Sequence, residues 1–129
     1  MTPLDNSGRR ILILEDERPL YEILKMMLET RGWNCVPHAA NSRSKTRTAA
    51  AGEPIDAALL DLNAGETNGL TVADELRREN PSLPIVLMTG NSDKSLRERV
   101  AAMKHSAVLQ KPFSIVTLEA ALAACQASD

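Results

Sequence analysis

The chain has 129 residues, 43% hydrophobic and 25% charged, which fits one soluble domain with a single core. A formal net charge of -2 gives no general attraction to nucleic acid or an anionic membrane. No apolar stretch approaches the ~20 residues a bilayer-spanning helix needs, so membrane insertion is not expected. Residues 1–8 have no basic region followed by an apolar one, so they are not a secretory signal and read as a loose tail. One Trp, one Tyr and one Phe are too few for a single-strand stacking platform. Cys35 and Cys125 lie far apart without metal-like spacing and read as reduced thiols, as in a cytoplasmic protein.

In chain order, Arg10-Ile11-Leu12-Ile13-Leu14 is a continuous apolar run ending in Glu15-Asp16-Glu17. It predicts a strand buried on both faces. Leu20, Ile23, Leu24, Met27 and Leu28 follow at helical spacing, with Pro19 suited to the first turn and Gly32 to the stop. Trp33-Asn34-Cys35-Val36 predicts a short strand, and Pro37 places it at a sheet edge. Residues 41–50 favour helix but supply no large apolar face. A short exposed helix is expected there, its basic residues forming either a solvated face or a partner surface.

Ala57-Ala58-Leu59-Leu60 is the second continuous apolar run, and it ends at Asp61. Loop composition follows from Ala64 to Gly69. Leu70, Ala73 and Leu76 mark a short amphipathic helix ending before Pro81. Leu83-Pro84-Ile85-Val86-Leu87-Met88 is the third run and ends in Thr89-Gly90. Ser92 or Asp93 can cap a helix carrying Leu96, Val100 and Met103. Ala107-Val108-Leu109 predicts a last strand, followed by Gln110-Lys111-Pro112. Ser114 can cap a final helix with Ile115, Leu118, Leu122 and Cys125 on one stripe. Strand and helix alternate throughout, which predicts a parallel sheet with helices on both faces.

In such a sheet the strand ends share one edge, where ligands bind. That edge collects Glu15, Asp16, Asp61, Thr89 and Lys111. Crowded carboxylates stay ionised only beside a cation, and oxygen ligands without His or Cys suit Mg²⁺ or another hard divalent ion. Lys111 offers a compact positive charge and Thr89 a hydroxyl, both suited to phosphoryl oxygens. Asp61 has the chemistry of a carboxylate nucleophile that forms an acyl phosphate. Taken singly, each group also has a plain structural reading as a turn, a cap or a helix-terminal charge.

These motifs resemble the receiver domains of two-component response regulators, over nearly the whole chain. The residues that carry the resemblance are Ile11-Leu12-Ile13-Leu14-Glu15-Asp16-Glu17, Leu59-Leu60-Asp61-Leu62-Asn63 with Gly69 eight positions after Asp61, Ile85-Val86-Leu87-Met88-Thr89-Gly90, and Leu109-Gln110-Lys111-Pro112-Phe113. The resemblance implies a flavodoxin-like (βα)5 three-layer sandwich with a five-stranded parallel sheet in the order 2-1-3-4-5. It implies a receiver domain over residues 9–126, flanked by tails at 1–8 and 127–129. It casts Asp61 as the acceptor of a phosphoryl group from a sensor histidine kinase or a histidine phosphotransfer protein. Asp16 becomes a direct Mg²⁺ ligand and Glu15 one acting through water, with Asp61 and the Asn63 backbone carbonyl completing the set. Thr89 and Lys111 would bind the phosphoryl group, while Asn63 and Asn91 would tune its lifetime.

Three positions depart from the family pattern. The loop after the acceptor reads Asn63-Ala64-Gly65-Glu66-Thr67-Asn68 where many members carry Met-Pro. Val108 stands where many carry the aromatic that moves inward as the threonine turns toward phosphate. Lys104-His105 replaces a common Gly-Ala, and His105 is expected to be an exposed loop residue. The expected function is a cytoplasmic, stand-alone signalling phosphoacceptor rather than an enzyme, with no nucleic-acid contact of its own. It would act on a downstream protein effector. The alternative is a phosphorylation-independent adaptor with the same fold, for which Val108 and the unusual segment at 41–50 speak. A flavin- or nucleotide-binding protein of this topology is disfavoured by the acidic loop after the first strand.

Overall fold

The computed structural model describes residues 8–38, 54–65, 67–90 and 94–127. The helix expected over 41–50, the caps Ser92 and Asp93, most of the N-terminal tail and the end of the C-terminal one fall outside those residues. The elements in order are β1 (Arg10–Leu14), α1 (Arg18–Glu29), β2 (Asn34–Pro37), β3 (Ala57–Asp61), β4 (Asn63–Ala64), β5 (Thr67–Asn68), α2 (Gly69–Glu79), β6 (Ile85–Thr89), α3 (Lys94–Ala101), β7 (Ser106–Gln110) and α4 (Ile115–Ala127). Five strands form one parallel sheet in the order β2-β1-β3-β6-β7. Taken in chain order, these are strands 2-1-3-4-5, the flavodoxin-like arrangement.

The apolar runs form strands because both of their faces are covered. Leu12, Leu14, Ala58, Leu60, Ile85 and Leu87 pack with Val72, Ala73 and Leu76 of α2 and Val100 of α3. Their neighbours Ile11, Ile13, Ala57, Leu59, Val86 and Met88 pack with Leu24 and Leu28 of α1 and Leu118, Leu122 and Cys125 of α4. Successive side chains on a strand point to opposite faces, so each run feeds both cores at once. Ser114 caps α4 by accepting a hydrogen bond from the Thr117 N–H at 3.1 Å.

Several details differ from the sequence reading. Trp33 precedes β2 rather than joining it; its ring is buried, with the Arg9 guanidinium 4.8 Å from its centroid. The loop after Asp61 folds into a two-stranded antiparallel hairpin, Asn63 opposite Asn68 and Ala64 opposite Thr67. α3 ends at Ala101, so Met103 lies beyond the helix. His105 is half-buried, not exposed, and sits at φ 62°. The turn into β7 requires that left-handed conformation, and the ring closes against the end of α4 with Nδ1 2.9 Å from the Cys125 carbonyl.

Arg77 of α2 holds the same corner. Its Nε donates to the Leu83 carbonyl at 3.0 Å, and one Nη donates to the His105 carbonyl and the Ser106 hydroxyl, each at 2.8 Å. One guanidinium thus joins α2 to the entries of β6 and β7. Replacing Arg77 by alanine leaves these acceptors short of a charged donor. We expect a loss of about 2 kcal/mol in urea unfolding, with no rescue by lysine, which lacks the planar fork. A loss below about 0.5 kcal/mol would show that water replaces those bonds.

Candidate functional site

β1, β3 and β6 run side by side and stop at one edge, where Asp61 and Thr89 close β3 and β6 and Glu15 and Asp16 follow β1. The Leu62 N–H donates to the Met88 carbonyl at 2.9 Å, and the Lys111 N–H donates to the Thr89 carbonyl at 2.7 Å. These bonds hold the ends of β3, β6 and β7 in register. Asp61 and Thr89 are both buried, at 5% exposure each, as the closing residues of strands otherwise wholly apolar inside. They close onto opposite faces. Asp61 continues the row of Ala57 and Leu59 toward α1 and α4, whereas Thr89 continues the row of Ile85 and Leu87 toward α2 and α3.

Glu15, Asp16 and Asp61 each place a carboxylate oxygen within 4.8 Å of the others. Lys111 Nζ lies 3.2 Å from Glu15 Oε1 and 3.2 Å from Asp61 Oδ2. The other Asp61 oxygen, Oδ1, accepts the Asn63 backbone N–H at 3.1 Å. Glu15 Oε2 accepts the Glu17 N–H at 3.1 Å. Burial pushes the Glu15 carboxyl above the usual carboxylate range; the Glu17 N–H opposes this, the Asp61 charge adds to it, and Lys111 pulls it back. Burial works against the charge on Lys111, but Asp61 and Glu15 outweigh it and raise its affinity for its proton. Three carboxylates facing one ammonium leave two negative charges uncompensated, which a divalent cation matches. The oxygen-only donor set suits a hard ion such as Mg²⁺.

Two glycines shape the rim. A Cβ on Gly69 would come 2.5 Å from the Asp61 carbonyl oxygen and 3.0 Å from its carbon, so only glycine lets α2 begin against the acceptor's backbone. Gly65 lies at φ +60°, and a Cβ there would meet Asp16 Oδ2 at 3.3 Å. Of the other sequence-predicted site residues, Asn63 is exposed beside Asp61, and Val108 packs on the α2/α3 face against the core shared with Leu96. Asn91 lies outside the described residues. Arg77 and the corner it ties were not found from sequence, because a helix stripe signals only its apolar positions.

A doubly wound sheet with an acid cluster and a lysine at its carboxyl edge defines an α/β protein that binds at its topological switch point. The comparisons identify which kind. The response regulator receiver domain model matches residues 11–123, and the chain belongs to that family. It is 32% identical over 117 residues to the probable transcriptional regulatory protein TcrX of Mycobacterium tuberculosis, covering 89% of this chain and 48% of that protein. It is 33% identical over 110 residues to the transcriptional regulatory protein PdtaR of the same species, covering 85% of this chain and 53% of that protein. The chain therefore spans about half the length of these relatives. A receiver domain structure from Clostridium thermocellum superposes with a TM-score of 0.77 at 19% identity, covering 92% of this chain and 94% of that one.

The raised Glu15 pKa has a consequence for stability. The folded state holds the Glu15 proton more tightly than the unfolded chain does. Glu15 therefore favours folding below its unfolded pKa, and that contribution is lost as pH rises through its folded value. At pH 7 without metal the ionised group works against the fold. Glu15→Gln should melt above the wild type at pH 7 in chelator. The gap should close as pH falls through the range just above the ordinary glutamate value of 4.5. An equal or lower melting temperature at pH 7 contradicts this.

Proposed function

We propose that this receiver accepts a phosphoryl group on Asp61 from the phosphohistidine of a sensor histidine kinase or a histidine phosphotransfer protein. The observation that carries the reading is Lys111 Nζ at 3.2 Å from both Asp61 Oδ2 and Glu15 Oε1, beside the cluster with Asp16. Asp61 supplies the nucleophilic oxygen. As its bond to phosphorus forms, the P–N bond of the donor breaks and the electron pair stays with the imidazole. Lys111 moves its charge from the two carboxylates onto a phosphoryl oxygen, and the Thr89 hydroxyl takes another. Glu15, Asp16, Asp61 and the Asn63 carbonyl are the groups that would hold Mg²⁺. When bound, that ion neutralises charge on the transferring group. Asn63, and Asn91 on the other side, would tune how long the acyl phosphate lasts.

On this reading the protein is a signalling phosphoacceptor rather than an enzyme, and phosphorylation biases a two-state surface read by a downstream protein effector. The domain would extend over residues 9–126 and work as a stand-alone regulator in the cytoplasm, the reducing compartment that the free thiols Cys35 and Cys125 suit. Val108, on the same sheet face as Thr89, favours a second reading in which the surface engages its partner regardless of phosphate. Partner binding that is equal with and without beryllofluoride would support that alternative.

Incubation with MgCl₂ and phosphoramidate or acetyl phosphate should give a single phosphate adduct by intact mass. Asp61→Asn should give none, and chelator should abolish the wild-type adduct. A wild type that takes no phosphate, or an adduct that survives on Asp61→Asn, would falsify the assignment of the acceptor.

A further inference from the structure

The hairpin beyond the acceptor is anchored at its base. The Gly69 N–H donates to the Leu62 carbonyl at 3.1 Å, just outside the pairing of Asn63 with Asn68. The Asn68 side chain accepts the Leu70 N–H at 2.8 Å, which ties the returning strand to the start of α2. Ala64 is buried in the α2/α3 core. Ala64 pairs with Thr67, so Gly65 stands at the tip, and a Cβ there would lie 3.3 Å from Asp16 Oδ2. The hairpin therefore runs from Asn63, whose N–H holds Asp61 Oδ1, to Asp16 beyond the end of β1.

The three carboxylates are not held equally. Asp61 is bound by the Asn63 N–H and Lys111, and Glu15 by the Glu17 N–H and Lys111. Asp16 is exposed and makes no hydrogen bond or ion pair among the described residues. Spacing alone does not choose an ion for this set. The carboxylate oxygens lie within 4.8 Å of one another. Opposite ligands stand about 4.2 Å apart around Mg²⁺ and about 4.8 Å apart around Ca²⁺, twice the metal–oxygen distance of each. Mg²⁺ demands a fixed, nearly octahedral set, whereas Ca²⁺ accepts ligands that shift. The preference is then set by how firmly Asp16 is placed, and Gly65 is the group packed against it.

We propose that the hairpin sets the cation preference of the site, with Gly65 as the specificity-determining residue. Its bare backbone keeps Asp16 where it suits the small Mg²⁺ better than the larger Ca²⁺. The inference rests on Glu15, Asp16, Asp61 and the Asn63 carbonyl being the metal ligands. A Cβ at position 65 forces the hairpin and the Asp16 carboxylate apart by a few tenths of an ångström. That displacement is a large fraction of the difference between the two ions' bond lengths, and Mg²⁺ tolerates it less.

The test follows melting temperature against MgCl₂ and, separately, CaCl₂ at constant ionic strength. Each Kd is taken from the rise over the same variant in chelator, so a less stable variant is still read. The wild type should bind Mg²⁺ more tightly than Ca²⁺. Gly65→Ala should raise the Kd for Mg²⁺ about tenfold and that for Ca²⁺ less than about threefold. Gly65→Asn carries the same Cβ but tolerates the left-handed backbone. It should lose the preference as alanine does, while melting closer to the wild type in chelator. Asp16→Asn should remove most of the rise with both ions. A wild type without the preference, an unchanged preference in Gly65→Ala, or one that asparagine restores overturns the role of Gly65 and leaves the ligand set standing. A wild type that neither ion stabilises, or a rise that survives in Asp16→Asn, overturns both.

Discussion

β3 has no face open to water: Ala57, Leu59 and Asp61 turn to one side of the sheet and Ala58 and Leu60 to the other, and all five are buried. A strand in that position needs helices on both faces and a strand on each side, which β1 and β6 provide. Its polar backbone is satisfied only by those neighbours, so the ends of the three strands are bound to stop together. The site follows from that arrangement. The first polar side chains available at the carboxyl edge are Glu15, Asp61 and Thr89, and they are rigid because the strands beneath them have nowhere to move.

Charge crowding then sets the chemistry. Folding brings Glu15, Asp16 and Asp61 together against their mutual repulsion, and Lys111 relieves only part of it. Burial, more than the neighbouring Asp61 charge, is what raises the Glu15 pKa. Such a cluster costs stability when empty and is relieved by cations or by phosphoryl groups that recruit them. The thiols are quiet by comparison. Burial pushes Cys35 up to about 11, and Cys125 Sγ sits 3.6 Å from the Ile85 carbonyl, so neither is poised to react near neutral pH.

The fold was legible because its strands are buried on both faces and its helices on one, so apolar runs and stripes marked every described element of the main sheet. The candidate site was legible for a related reason: a polar residue closing an apolar run is placed at the sheet edge by the run itself. Three kinds of feature left no such trace. The hairpin after Asp61 is held by backbone pairing that its Gly- and Asn-rich sequence does not advertise. His105 looked like an ordinary loop residue because its role depends on the end of α4, twenty positions away in sequence. Arg77 drew no reading from the sequence, since its acceptors, two carbonyls and the Ser106 hydroxyl, lie on other parts of the chain. Strand alternation did, in principle, announce that Asp61 and Thr89 close onto opposite faces; it becomes useful only once the packing partners of each face are known.

The bonds to Asp61 make its two oxygens different atoms in practice. Oδ1 is held by the Asn63 N–H, whereas Oδ2 is held by a side chain that can swing away. The main chain therefore holds one oxygen and Lys111 the other, so the carboxylate is oriented before any donor arrives. Attack then needs no search over carboxylate orientations, only the release of one ammonium contact. The chain's folding has done in advance the aligning that a free carboxylate in water would have to do at the moment of reaction.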